Sequence, residues 1–186
     1  MANIIPKDKR EKIFALVYNR ADAFGYCTRN RPDNSMFMSS LVNDSEIGGI
    51  LSEFMPKEEV RTYVKDTILN KYTKELVKRK MATIEAVTVF QIVYGVDTQL
   101  VGKTGAISIC RSENGDIYVL SVGTYLKWET TLRKALEYIA ANENVKTPNV
   151  HVCLGLVVTN DDITSGDKKA TEDELAIINT KAFFIG

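Results

Sequence analysis

A single histidine limits the chemistry this chain can carry. His151 alone cannot supply a paired-histidine metal site or a two-histidine acid–base pair. The three cysteines, Cys27, Cys110 and Cys153, have no CxxC spacing for zinc and are an odd number for a disulfide framework, so buried thiols are expected. His151 opens an apolar run and alternates onto the same face as Cys153, which reads as a core histidine. Gly102-Lys103-Thr104 has the ending of a phosphate-binding loop. The motif also needs a glycine at position 97, which is Asp97, and a helix afterwards, where AISIC reads as a strand. Asp161, Asp162 and Asp167 could ligate a hard cation, but without EF-hand spacing.

The charge ledger is more informative when divided. The 186 residues carry 24 Lys plus Arg against 24 Asp plus Glu. Residues 1–32 are net +4, residues 33–56 net −4, residues 57–80 net +4, and the remainder mildly acidic. Neutrality is a cancellation, and two basic blocks remain for a phosphate backbone. The candidate nucleic-acid-binding residues are Arg29, Arg31, Arg61, Lys65, Lys71, Lys78 and Arg79, with Tyr63 and Tyr72 adding stacking groups. DNA or RNA is the expected partner. The opening MANIIPKDKREK lacks an apolar leader, and no stretch approaches the roughly 18–20 apolar residues that span a bilayer. No membrane association and a cytoplasmic location are expected.

These residues need elements to position them. Pro6 suits the first turn of a helix that runs to Gly25. Residues 26–36 read as loop around Pro32. Residues 36–42 and 45–54 read as two short helices, with Gly48-Gly49 explained by close packing. Their apolar set (Met36, Phe37, Met38, Leu41, Ile50, Phe54, Met55) either packs internally or forms a homo-oligomer interface. Residues 56–80 read as an amphipathic helix with a Lys- and Arg-rich outer side. The β-branched, aromatic run 82–94 reads as a strand. Residues 106–110 and 116–122 form two strands around an Asn114-Gly115 turn, followed by a helix at 124–143. The continuously apolar run 150–159 suits a central strand, 160–169 a loop, 171–180 a helix begun by Thr171 and Glu174, and 182–185 a last strand.

The fold class expected is α/β: a helical N-terminal region followed by a mixed sheet of four to five strands flanked by helices. The helical region covers 1–55 and the α/β core 56–186, within one domain or two.

The order helix, strand, strand-hairpin, helix, strand over residues 57–160 resembles the core of the PD-(D/E)XK superfamily of restriction-endonuclease-like nucleases. The resemblance lies in topology. It implies an acid near the start of the second core strand, and an acid and a lysine one residue apart on the third. It also implies Mg²⁺ bound there to activate water. In this chain the second strand begins Gly105-Ala106-Ile107-Ser108, and Ser121 and Gly123 stand at the signature positions of the third. A rearranged catalytic site would draw on Asp97, Lys103, Lys127 and Glu129. Three functions follow: a nucleic-acid-associated protein without catalysis, an interaction or oligomerising subunit without a site, or a Mg²⁺-dependent nuclease with relocated groups. A cofactor is expected only in the last, and enzyme status stays open.

Overall fold

Asn30 opens a helix inside the stretch expected to be loop. Its side chain accepts from the Asp33 N–H at 2.9 Å, and Pro32 falls in the first turn, where a missing N–H costs nothing. Helix α2 (Arg31–Asn43) therefore follows α1 (Lys7–Phe24) after only a short 3₁₀ turn, Tyr26–Thr28. Helix α1 stops at Gly25, as expected. The computed structural model describes residues 4–159 and 163–186. The chain divides into two compact units, whose described parts are 4–76 and, in the second, 77–159 with 163–186. Residues 56–76, grouped above with the α/β core, thus belong to the first unit.

The first unit is helical throughout. After α2 comes a π-helical turn, Ser45–Gly49, and then α3 (Lys57–Thr62), a π-helical segment Tyr63–Leu69, and α4 (Asn70–Ala82), which belongs to this unit as far as residue 76. The core residues Val60, Val64, Ile68 and Tyr72 explain the π segment. They are spaced by four and all buried. On an α-helix of 3.6 residues per turn such a stripe drifts around the axis, and the wider π turns hold it on the core. Gly48 is buried where a Cβ would fall on the Val42 carbonyl, so the Gly48-Gly49 pair does mark close packing. Phe37, Met38 and Leu41 are buried in the same core, Phe37 stacked on Phe24 at 4.4 Å. Ile50, Phe54 and Met55 are half-buried. Of the apolar set offered as an oligomer surface, only Met36 is exposed.

The second unit is built on five strands: β1 (Thr98–Thr104), β2 (Ile107–Ser112), β3 (Ile117–Thr124), β4 (Val150–Val157) and β5 (Thr180–Ile185). They lie in sequence order across the sheet. The pairs β1–β2 and β2–β3 are antiparallel, and β3–β4 and β4–β5 are parallel. Helix α5 (Ala86–Tyr94) packs Ala86, Val89 and Phe90 on Cys110, Tyr118, Leu120 and Cys153. The alternate residues of the strands face helices α6 (Trp128–Ala141) and α7 (Ser165–Ile177). This is the mixed, helix-flanked sheet expected, with the helical region before it.

Two segments of the expected pattern are corrected. Residues 86–94 form a helix, not a strand. Burial falls at 86, 89 and 90, while Val87 and Ile92 are 39% and 63% exposed. Each β-branched residue costs a few tenths of a kcal/mol in a helix, against about 1.5–3 kcal/mol for fully burying a large apolar side chain. Residues 98–104, to which the sequence pattern assigns no element, form strand β1, an edge strand whose Leu100 and Val101 are exposed, so it lacks the alternation that marks a strand. The order helix, three strands, helix, strand is nevertheless present, with α5 and β1 as its first members.

Helix α7 begins six residues before expected. Thr164 and Asp167 form its capping box, with Thr164 Oγ1 accepting from the Asp167 N–H at 3.2 Å and the Asp167 carboxylate accepting from the Thr164 N–H at 2.8 Å. Asp167 is thereby a cap; Asp161 and Asp162 lie outside the described residues. No helix among the described residues is long and apolar enough to cross a membrane.

Candidate functional site

The β1–β2 register sets Lys103 opposite Ser108, and the β2–β3 register sets Ser108 opposite Leu120. Ser108 and Leu120 share the α5 face with Cys110, so Lys103 stands on that face too. Val122 continues the same face at the C-terminal end of β3, where its N–H donates to the Ala106 carbonyl at 2.9 Å. Residues 78–84 of the same unit supply the opposite wall. The result is a recess of about 310 Å³ with Lys78 and Lys103 at its sides, Ser108 and Val122 on the sheet, and Met81 and Ile84 facing them. Among the described residues its lining contains no carboxylate. Ligands of open α/β sheets bind outside the carboxyl ends of parallel strands, and β3 runs parallel to β4 and β5 here. Neither lysine makes an ion pair with a described residue.

The structure does not bring the four candidate catalytic residues together. Asp97 precedes β1 and Lys103 is near its end, six residues and about 20 Å away along the strand. Asp97 lines a different recess, about 440 Å³, with Arg111 and Glu113. It also accepts from the Gln91 amide at 2.8 Å in the orientation that satisfies that amide, closing the α5–β1 connection. Lys127 and Glu129 are exposed at the start of α6, on the other side of the sheet from Lys103.

The Mg²⁺ site implied by the family resemblance does not fit the residues present. Ser121 donates from Oγ to the Thr131 carbonyl at 3.1 Å. At Gly123, even a Cβ would fall on the Thr131 hydroxyl, so α6 occupies the space a lysine would need. The alternate positions, Leu120 and Val122, are apolar. Among the described residues no three His, Cys, Asp or Glu side chains converge to hold a metal.

Comparison with protein-family models, with curated proteins and with solved structures finds no match.

The seven candidate nucleic-acid-binding residues are scattered, and several have structural employment. Arg61 donates to Ser39 Oγ at 3.0 Å and Ser35 Oγ at 3.2 Å, tying α3 to α2. Arg29 donates to the Phe24 carbonyl at 3.2 Å and lies 5.5 Å over the Phe24 ring. Lys71 pairs with Glu75 at 3.8 Å and covers Phe14. Arg31, Lys65 and Arg79 are exposed. Of the seven, Lys78 alone lines the recess.

The buried and half-buried titratable groups in and under α5 pack against one another. His151 stacks on Tyr118 at 4.7 Å and lies 5.8 Å from Tyr94, beneath α5. Tyr94 donates to the Val152 carbonyl at 2.8 Å, and burial raises its phenol above the ordinary range. Burial also pushes the Cys153 thiol up to about 12, which removes it as a nucleophile. All three cysteines are buried, as expected. The sequence reading missed Ser108, Met81, Ile84 and Val122. Reading β1 as a strand would have paired Lys103 with Ser108.

Proposed function

We propose that this chain is a nucleic-acid-binding protein on a restriction-nuclease-like scaffold, and that it holds its ligand without cutting it. The observation that carries the reading is the recess at the C-terminal end of β3, where two lysines pair with no described residue and no described carboxylate lines the walls. Amines in such a place attract phosphate oxygens. The described lining offers no group to hold Mg²⁺ or to activate water. The order α5-β1-β2-β3-α6-β4, with β2 antiparallel and β3 parallel to β4, supports the scaffold.

The test is fluorescence anisotropy with labelled duplex and single-stranded DNA and RNA over a salt series. Affinity should fall as salt rises, and the double variant Lys78→Ala/Lys103→Ala should reduce the slope of log affinity against log salt by about two. No binding at low salt overturns the reading. Mg²⁺-dependent plasmid cleavage that is lost in Lys103→Ala overturns its non-cleaving part.

A further inference from the structure

The same recess says which part of a nucleic acid it suits. Its walls between the lysines are apolar: Met81 and Ile84 on one side, Val122 and Ala106 on the other. One hydroxyl, that of the buried Ser108, lies in the sheet wall. At about 310 Å³ it is at the small end of ligand cavities, roughly 300–1,000 Å³. A duplex presents a convex row of phosphates and would meet surface lysines without filling a recess. A flat, largely apolar ring flanked by phosphates matches both the walls and the rim. Beyond Ile84 a second recess of about 260 Å³ carries Glu85 at its edge, which repels phosphate and keeps the backbone on the lysine side.

We infer that the recess receives the base of one unpaired nucleotide within a strand, with the adjoining phosphates against Lys78 and Lys103. The base lies against Met81, Ile84 and Val122, and its edge exchanges a hydrogen bond with Ser108. This inference rests on the nucleic-acid reading above.

The experiment compares a labelled duplex, the same duplex with one bulged base, and the single strand, all at low salt, with AMP as competitor. Bulged and single-stranded probes should bind about tenfold tighter than duplex. Ala106→Trp and Ala82→Trp, both at exposed lining positions, should fill the recess and bring the bulged and single-stranded probes down to the affinity of the duplex for the same variant. The two variants back each other, and thermal unfolding shows which is folded. Equal wild-type affinity for all probes, with a lysine-dependent salt slope, overturns the base pocket and leaves the nucleic-acid reading standing. A preference that survives in both tryptophan variants also overturns it. AMP binding as tight as the strand reassigns the recess to free nucleotides and overturns it too. No binding by any probe sinks both readings.

Discussion

The two units hold themselves together differently. In the helical unit, side chains tie distant segments. Lys9 pairs with Glu53 at 2.7 Å, Lys12 with Glu46 at 3.4 Å and Arg20 with Asp44 at 2.7 Å, while Arg61 bridges to two serines of α2. In the sheet unit the described ion pairs are local to a helix or turn: Arg133–Glu137, Lys146–Glu143 and Lys169–Asp173. The backbone ladder already joins its distant segments. Helices satisfy their hydrogen bonds internally, so a helical unit must specify its tertiary arrangement by packing and side-chain ties. In the sheet unit Lys181 makes one such tie, donating to the Val93 carbonyl at 3.0 Å, while Lys78 and Lys103 pair with no described residue. Basic residues therefore mean different things in the two halves of this chain.

The largest effects should come from the two glycines at close approaches. Gly123→Val drives a side chain into Thr131 and should destabilise the sheet unit by roughly 3 kcal/mol or more. The one tryptophan, Trp128, reports on that unit, so its fluorescence transition in urea should move to lower denaturant. Gly48→Val strikes the Val42 carbonyl and should shift the helical far-UV transition instead, leaving the Trp128 transition in place. Identical shifts of both probes in both variants would break the comparison, because the chain would then unfold as one cooperative unit. Leu41→Ala follows, at about 3 kcal/mol from the helical unit, read by the same far-UV transition.

Charge removal sharpens the contrast. Lys103→Ala should weaken nucleic-acid binding by about three- to tenfold at low salt with unchanged stability. Arg61→Ala, at a residue equally basic, should cost stability of the helical unit and leave the salt slope of binding alone. A loss of binding in Arg61→Ala, measured by anisotropy, would contradict that assignment.

The smallest effect is at Asp44. The Arg20 guanidinium, helped by the N–H groups of Glu46 and Ile47, holds its carboxyl below the usual carboxylate range. Asp44→Ala should cost about 1 kcal/mol at neutral pH. A lowered carboxyl contributes fully above its unfolded value, about 3.9, and loses that contribution as pH falls through the lower folded value. Wild type and variant should therefore converge in stability in strong acid, as an acid titration followed by circular dichroism would read.

How much was legible in the sequence depended on whether local pattern and tertiary environment agreed. They agreed at the Asn114-Gly115 hairpin, at the amphipathic α6, and at β4, whose unbroken apolar run matches burial on both faces. They disagreed at α5, where a helix carries a strand-former's composition because its face must cover Cys110, Tyr118 and Leu120. They disagreed also at β1, where an edge position removes alternation. Lys103 and Lys78 were each legible as candidates. Their meeting was not, because it depends on reading β1 as a strand and on bringing residues 25 positions apart to one recess.

The π segment bears on how this chain can change length. Val60, Val64, Ile68 and Tyr72 are spaced four, four and four, and Tyr63–Leu69 accommodates the excess. Removing one exposed residue there, Asp66, leaves a spacing of four, three and four, the repeat of an ordinary amphipathic α-helix. A deletion that would rotate half the buried face outward in α1 should here regularise the backbone and keep the core side inward. Tyr63–Leu69 is thus where the helical unit tolerates the loss of a residue.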